Sequence, residues 1–312
     1  NTGNAALTVN SISSDNAKFV VSGAPASVAA GSSASFTVTF TPTALGTQTA
    51  TITINNNDCD EAVYNFAVTG KGATPAAALD FSGSNDFTSL SGTNTLLDGA
   101  TQFTIEHWIR SNGTGSVGIV GKGASGCCTN TIHTGLAANG VFFLKVGNQD
   151  GLITGTGVVP TGSWIHLAAV YNGNAATPAD RIKIYANGVL QPATMFGSIP
   201  AAAPAPNVPF VIGAATSDGA FNYNGQIDEV RIWNTARTCD QIAQLRNCEL
   251  AGSEPGLVAY YKFNQGFASE NNSGLTTLID AAGGDNNGTL SNFTLDGASN
   301  DELRSRYLVT GM

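Results

Sequence analysis

Glu106, His107 and Trp108 follow one another in a stretch that alternates apolar and polar residues, Phe103-Thr104-Ile105-Glu106-His107-Trp108-Ile109-Arg110. A carboxylate, an imidazole and an indole are residue types that could do acid–base chemistry on a sugar. Retaining glycoside hydrolysis needs a second carboxylate about 5 Å from the first, and a strand offers same-face places two residues away. Those places hold Thr104 and Trp108, so Glu106 stands alone, and Glu229 is alone on its own stretch. Glu106 is therefore expected as a packed, hydrogen-bonded carboxylate, and His166 as a structural histidine in Trp164 to Tyr171. Cys127, Cys128 and His133 are soft donors close in sequence, but zinc needs a fourth ligand and reduced thiols. Cys239 and Cys248 flank a short helical pattern, Asp240 to Asn247. A disulfide between them would clip it closed and fits an oxidising compartment. Five cysteines leave one thiol over, and Cys59, Cys127 and Cys128 have no partner assigned. Asn148-Gln149-Asp150-Gly151 and Ser217-Asp218-Gly219 are oxygen-rich, but Asp-Gly is first of all turn chemistry.

The elements that must carry these residues are strands. Gly225 to Trp233 alternates; parity puts Asp228, Val230 and Ile232 on one face and Ile227, Glu229, Arg231 and Trp233 on the other. Residues 1 to 72 read as short strands with turn residues between them, among them Ser35 to Phe40 and Gln48 to Ile54. From Ala78 onward the strands are longer, and Asn187-Gly188 marks a two-residue hairpin. Small residues at 73–77 read as a linker. Charged residues make up 11% of the chain, well below ordinary soluble domains, and the net charge is −9. That balance leaves no basic stripe for nucleic acid. No apolar run is long enough to span a bilayer. The chain opens without Met, and Asp301 to Met312 fits no motif, so it reads as a piece of a longer protein.

Residues 1–72 resemble the immunoglobulin-like choice-of-anchor D repeats of bacterial surface proteins. The resemblance rests on Asn1 to Leu7, Val28 to Ser32, Phe36 to Pro42 and Ile54 to Glu61. In that family further strands precede the Asn-Thr-Gly turn, so the resemblance implies a sandwich incomplete at its N-terminus, with an edge open to strand addition. Residues 78–300 resemble the laminin-G-like, concanavalin-A-like jelly rolls of Bacteroidetes-type secreted proteins. Here the carriers include Ala78 to Gly83, Phe103 to Ile109, Ile119 to Gly123, Trp164 to Tyr171, Gly225 to Asn234 and Gly256 to Phe263. This second resemblance implies calcium: related β-glucanases hold a structural ion where the first strand runs beside the Asp-Glu-Val-Arg strand. Asp80 and Asp228 would be ligands here, with Asp86 a third.

The expectation is an all-β chain of two sandwiches, with 301–312 unassigned. It is secreted or displayed at a cell surface, non-enzymatic, and binds a glycan or a surface protein through the jelly roll, with calcium as cofactor. It inserts into no membrane. Two other expectations are a filament or lattice subunit, homo-assembled by strand complementation of the first domain, and an accessory binding module of a larger secreted hydrolase.

Overall fold

The computed structural model describes residues 1–41, 46–72, 78–113, 115–124, 129–267, 271–284, 286–296 and 303–304. The expected linker at 73–77 and the cysteines Cys127 and Cys128 lie outside the described residues. The chain divides into two compact units, Asn1–Thr74 and Pro75–Met312.

The first unit has strands β1 (Leu7–Ser14), β2 (Phe19–Ser22), β3 (Ser27–Val28), β4 (Thr37–Phe40), β5 (Gly46–Asn56) and β6 (Val63–Gly72). They form an antiparallel sheet in the order β3-β1-β5-β6 and a β2–β4 pair. Alternation selects the inward face: Ala50 and Ile52 on β5 are buried with Phe19, whereas Val38, Phe40, Phe66 and Val68 are half-buried. Phe19 and Phe40 stack at 4.5 Å between centroids across the β2–β4 pair.

The second unit continues with β7 (Ala78–Ser82), β8 (Phe87–Leu90), β9 (Gln102–Ser111), β10 (Val117–Lys122), β11 (Thr131–Ala137), β12 (Val141–Gly147), β13 (Gly151–Thr154) and β14 (Trp164–Asn172). Then come β15 (Ile182–Ala186), β16 (Val189–Leu190), β17 (Ala193–Phe196), β18 (Phe210–Ile212) and β19 (Asn224–Trp233). Helix α1 (Cys239–Leu245) precedes β20 (Leu257–Tyr261), β21 (Thr277–Leu278), β22 (Gly288–Ser291) and β23 (Leu303–Arg304). One sheet runs β17-β13-β12-β11-β10-β18-β8-β22-β21; the other runs β16-β15-β14-β9-β19-β7-β23, with β20 on β19. Two antiparallel sheets face to face make a jelly-roll sandwich. β23 comes from the stretch that the sequence left unassigned, pairing Leu303 with Leu79.

Alternation again decides the core. Phe103, Ile105 and Ile109 point inward from β9, as expected, and meet Ile132, Phe142 and Leu144. His107, on the same inward face, bridges the sheets, its Nε2 lying 3.2 Å from Thr134 Oγ1 of β11. Lys122 is also enclosed: Nζ donates to the carbonyls of Asn94 and Leu96 at 2.8 and 2.7 Å and pairs with Asp98. The Asn187–Gly188 hairpin forms between β15 and β16, both residues taking the positive φ that this turn needs, 49° and 80°.

Two expectations are corrected. The parity of β19 does not run unbroken. A bulge between Asp228 and Arg231, with Glu229 at φ 52°, shifts the register against β9. Val230 and Ile232 join Ile227 in the core, and Asp228, opposite Trp108, falls on the outer side with Arg231, opposite Glu106. The Cys239–Cys248 disulfide is absent: both thiols are free, as is that of Cys59. Cys239 opens α1 and Cys248 lies beyond its end. A helix rises about 1.5 Å per residue, which holds the two well beyond the roughly 7 Å that a disulfide spans. The Thr238–Gln241 capping box closes the helix start instead, each side chain accepting from the other's backbone N–H.

Candidate functional site

The outer face of the β14–β9–β19–β20 region carries the residues that first suggested chemistry. Glu106 is fully buried, with Oε1 3.1 Å from Arg237 Nε and Oε2 3.3 Å from His166 Nε2. Burial lowers the pKa of His166 against the pull of Glu106. Glu229 meets Arg231 at 2.5 Å and accepts from the Tyr260 hydroxyl at 2.7 Å. Arg231 also donates to the carbonyls of Leu245 and Cys248, and the Trp108 indole donates to that of Arg246. These carbonyls lie at the end of α1 and just beyond it, where cationic and N–H donors are favoured. Arg237 donates to Gln241 O and lies 3.7 Å from the centroid of the Trp233 ring. Ile242 seals the helix onto Ala168, Val170 and Tyr185. The two carboxylates thus hold arginines that fasten a helix, with both side chains buried beneath it.

The other sheet offers an open feature. On its outer side a shallow depression of about 80 Å³ is lined by Ser116, Val117, His133, Phe143, Lys145, Ala215 and Phe221. Register sets the floor: His133 on β11 is opposite Lys145 on β12 and Gly121 on β10, and Phe143 is opposite Gly135. The intervening residues Ile132, Leu144 and Val146 belong to the core, so period two turns His133, Phe143 and Lys145 outward. His133 is edge-on to Phe143 at 5.3 Å, and Lys145 Nζ is 5.2 Å from the centroid of that ring. His133 Nδ1 lies 3.3 Å from Thr131 Oγ1. Burial, and then the charge of Lys145, lower the pKa of His133 to about 3. It is therefore a neutral imidazole with one donor and one acceptor.

The wall of the depression is the loop 213–223, folded flat on β10. Gly213 N donates to Ile119 O and Gly118 N to Phe221 O, both at 2.8 Å. This approach needs the glycines of β10: a Cβ on Gly118 or Gly121 would lie 2.2 or 2.3 Å from the backbone of Ala215. Phe221 is thereby presented at the rim, 46% exposed and at φ 61°. A bulky residue in the left-handed region is strained, by about 1–3 kcal/mol. Leu97, Phe263 and Leu295 share that region but are buried in the core, so it is exposure that sets Phe221 apart. An exposed ring, a second ring in the floor, a neutral imidazole, a hydroxyl and an ammonium form an amphipathic recess suited to binding a small polar ligand.

The sequence singled out His133 but not its company. Phe143 and Lys145 were visible as alternate residues of Val141 to Val146, but nothing in their spacing marks the outer side as open. Phe221 becomes a rim residue only once the loop lies on β10; the one local signal was Gly118-x-x-Gly121-x-Gly123, a spacing that permits close backbone approach.

Asp80, Asp86 and Asp228 are not brought together as one ligand set. Among the described residues, the only three acid, thiol or imidazole groups whose ligand atoms converge are the exposed Asp58, Cys59 and Asp60. Asp86 uses both carboxylate oxygens on Ser82, accepting from its backbone N at 2.6 Å and from its hydroxyl. Asp80 pairs with Gln226 across β7 and β19, accepting from its amide at 3.3 Å. With Ser82, Asn112 and Asn224 it lines a polar depression of about 230 Å³ that includes neither Asp86 nor Asp228. Asp150 accepts from Ser198 N at 2.7 Å, tying the β12–β13 turn to the loop after β17, and Asp218 accepts from the Thr216 hydroxyl at 2.5 Å, a local closure of the kind Asp-Gly turns use.

Residues 81–243 match the family described as the concanavalin A-like lectin/glucanases superfamily, and residues 1–73 match a HYDIN/CFA65/VesB-like Ig-like domain. No curated protein matches the chain. Among solved structures, a Bacteroides ovatus protein, described by inference as carbohydrate binding, is 20% identical. The match covers 93% of this chain and 87% of that one, with a TM-score of 0.51. A SAP-like pentraxin from Limulus polyphemus is 18% identical over 54% of this chain and 81% of its own, with a TM-score of 0.39. A CBM40 module of a Ruminococcus gnavus IT-sialidase, bound to α2,3 sialyllactose, is 14% identical over 55% of this chain and 92% of its own, with a TM-score of 0.40. At these identities the likenesses speak to fold alone, and the last two scores carry no argument.

Proposed function

The chain belongs to the concanavalin A-like lectin/glucanases superfamily, and from that premise we propose that its jelly-roll unit is a non-enzymatic glycan-binding module. The ligand sits on the outer side of the β10–β11–β12 sheet, in the depression between Phe143 and Phe221. The observation that carries this reading is Phe221: a large apolar side chain at the rim of a polar recess, held in a costly backbone conformation by bonds from its loop to β10. A sugar presents an apolar C–H face and a ring of hydroxyls. The first would lie on Phe221, and the second would meet His133 and Ser116. Glu106 and Glu229 take no part; each is committed to an arginine beneath α1.

The adhesin role and an extracellular location belong to the same proposal. Their support is the low charge content of 11%, since the free thiols of Cys239 and Cys248 withdraw the disulfide argument for an oxidising compartment. The choice-of-anchor D assignment of residues 1–72 is likewise ours, and the unit would serve as a spacer. Calcium rests on Asp80 alone, with Ser82, Asn112 and Asn224 as the oxygen-bearing side chains around it. Asp80 is on β7, in the sheet opposite the β10–β12 floor of the recess, so an ion there would brace β7 and β19. A glycan array with the intact chain and its Phe221→Ala variant tests the reading, as set out below.

A further inference from the structure

Lys145 stands out among the half-buried cations. Arg110, Arg181 and Arg246 also lack a carboxylate partner among the described residues, but each donates to a backbone carbonyl, of Gly162, Ile199 and Ala243, whereas the Lys145 ammonium has the Phe143 ring as its contact. Lys122, Arg231, Arg237 and Lys262 each pair with a carboxylate, on Asp98, Glu229, Glu106 and Glu249 respectively. Lys145 has no such partner among the described residues, although the chain carries 22 acidic residues against 13 basic ones. Nor is it a solvated surface lysine: its side chain is half-buried in the depression, with Nζ held over the Phe143 ring. Burial lowers its pKa with no opposing carboxylate to restore it. Across the strand, His133 is neutral, so the recess holds one positive charge beside neutral donors and acceptors. A partly desolvated ammonium with no counter-charge costs free energy in the free protein. A ligand that brings an anion would remove that cost.

We infer that the glycan is an acidic one, whose anionic group, a carboxylate or a sulfate ester, pairs with Lys145 Nζ while its ring rests against Phe221. This rests on the glycan-binding reading above and narrows it. The two anions share the chemistry that an ammonium recognises; Lys145 supplies charge and three donors, without the planar fork that would single out a carboxylate. Charge then selects among sugars that Phe221 and His133 alone would accept alike.

The test is calorimetric titration of the intact chain with a panel of carboxylated oligosaccharides (uronic and nonulosonic), their neutral methyl esters, and sulfated and unsulfated forms of one neutral oligosaccharide. Lys145→Met keeps the apolar stem over Phe143 and removes the charge; Phe221→Ala serves as the control for the site itself. The expected result is that an anionic member binds at least about 10-fold more tightly than its neutral counterpart. Lys145→Met should erase that preference, Phe221→Ala should weaken acidic and neutral sugars together, and the carboxylated and sulfated arms show which anion is taken. If neutral sugars bind as tightly as acidic ones, with Phe221→Ala abolishing binding and Lys145→Met leaving it unchanged, the inference is overturned and the glycan site stands. If no member of the panel binds, or if binding is indifferent to both substitutions, the site reading fails and the inference with it.

Discussion

His133 and Lys145 face each other across β11 and β12, and the charge of the lysine, with burial, keeps the imidazole neutral. One strand pair thus presents a cation and an uncharged hydrogen-bonding ring side by side, below the aromatic rim formed by Phe221.

Replacing Phe221 by glycine separates its two roles. Glycine adopts φ 61° without strain, and the lost side chain is 46% exposed. Denaturant unfolding should show stability unchanged or raised by about 1 kcal/mol, while glycan binding is lost. A loss of more than about 2 kcal/mol would mean that Phe221 is packing the fold instead of serving a ligand.

Gly121→Ala should act in the opposite way on stability. Its Cβ would stand 2.3 Å from Ala215 O, so the loop must lift or β10 must shift, at about 1–3 kcal/mol. Binding should fall as well, because the loop positions the rim. An alanine variant with wild-type unfolding midpoint and affinity would show that the loop does not need this close approach.

Stability should decline as pH falls from neutral. Burial holds His107 and His133 at about 3 in the folded chain, against 6.5 ordinarily, and His166 is shifted the same way. The unfolded chain therefore binds more protons between those values. The stabilisation is complete above pH 6.5 and is lost progressively as pH falls towards 3, at up to about 1.4 kcal/mol per pH unit for each histidine. Urea midpoints at pH 7, 6 and 5 sample this window before most carboxylates titrate. His107→Gln, which keeps a hydrogen-bonding group towards Thr134, should reduce the slope. A flat profile would show that burial does not hold these imidazoles neutral.

Cys239 and Cys248, both exposed and free, should react with a thiol reagent in the native state without prior reduction. A disulfide-linked peptide joining Cys239 to Cys248, lighter by two hydrogen atoms than the reduced pair, with no reaction of either thiol, would restore the bridge that the sequence suggested. Chelator should leave glycan binding intact, since Asp80 and the Phe221 depression are on different sheets. Binding that vanishes with chelator and returns with calcium would move the site to the Asp80 side.

Much of the fold was legible because it depends on short-range rules. The inward set of β9, the Asn187–Gly188 hairpin and the short helix in the stretch between Cys239 and Cys248 follow from periodicity and turn chemistry, whereas the Thr238 cap became visible only in the structure. Asp228 was misplaced because a bulge between Asp228 and Arg231 reverses parity, and that shift shows only in the pairing of β19 with β9, which the fold assembles. The bridge between Cys239 and Cys248 was inferred from spacing, without the length of helix that separates them. Phe221 and Lys145 were missed for a related reason. Their meaning lies in what does not cover them, and that is set by a loop about 75 residues further on from Lys145 in sequence folding back onto β10.

The most direct test of the central claim is a glycan array probed with the intact chain and with Phe221→Ala in parallel, the two proteins matched for melting temperature. The account predicts signal on one or more glycans for the intact chain and its loss in the variant. An array blank for both, or binding that survives the substitution, would contradict it.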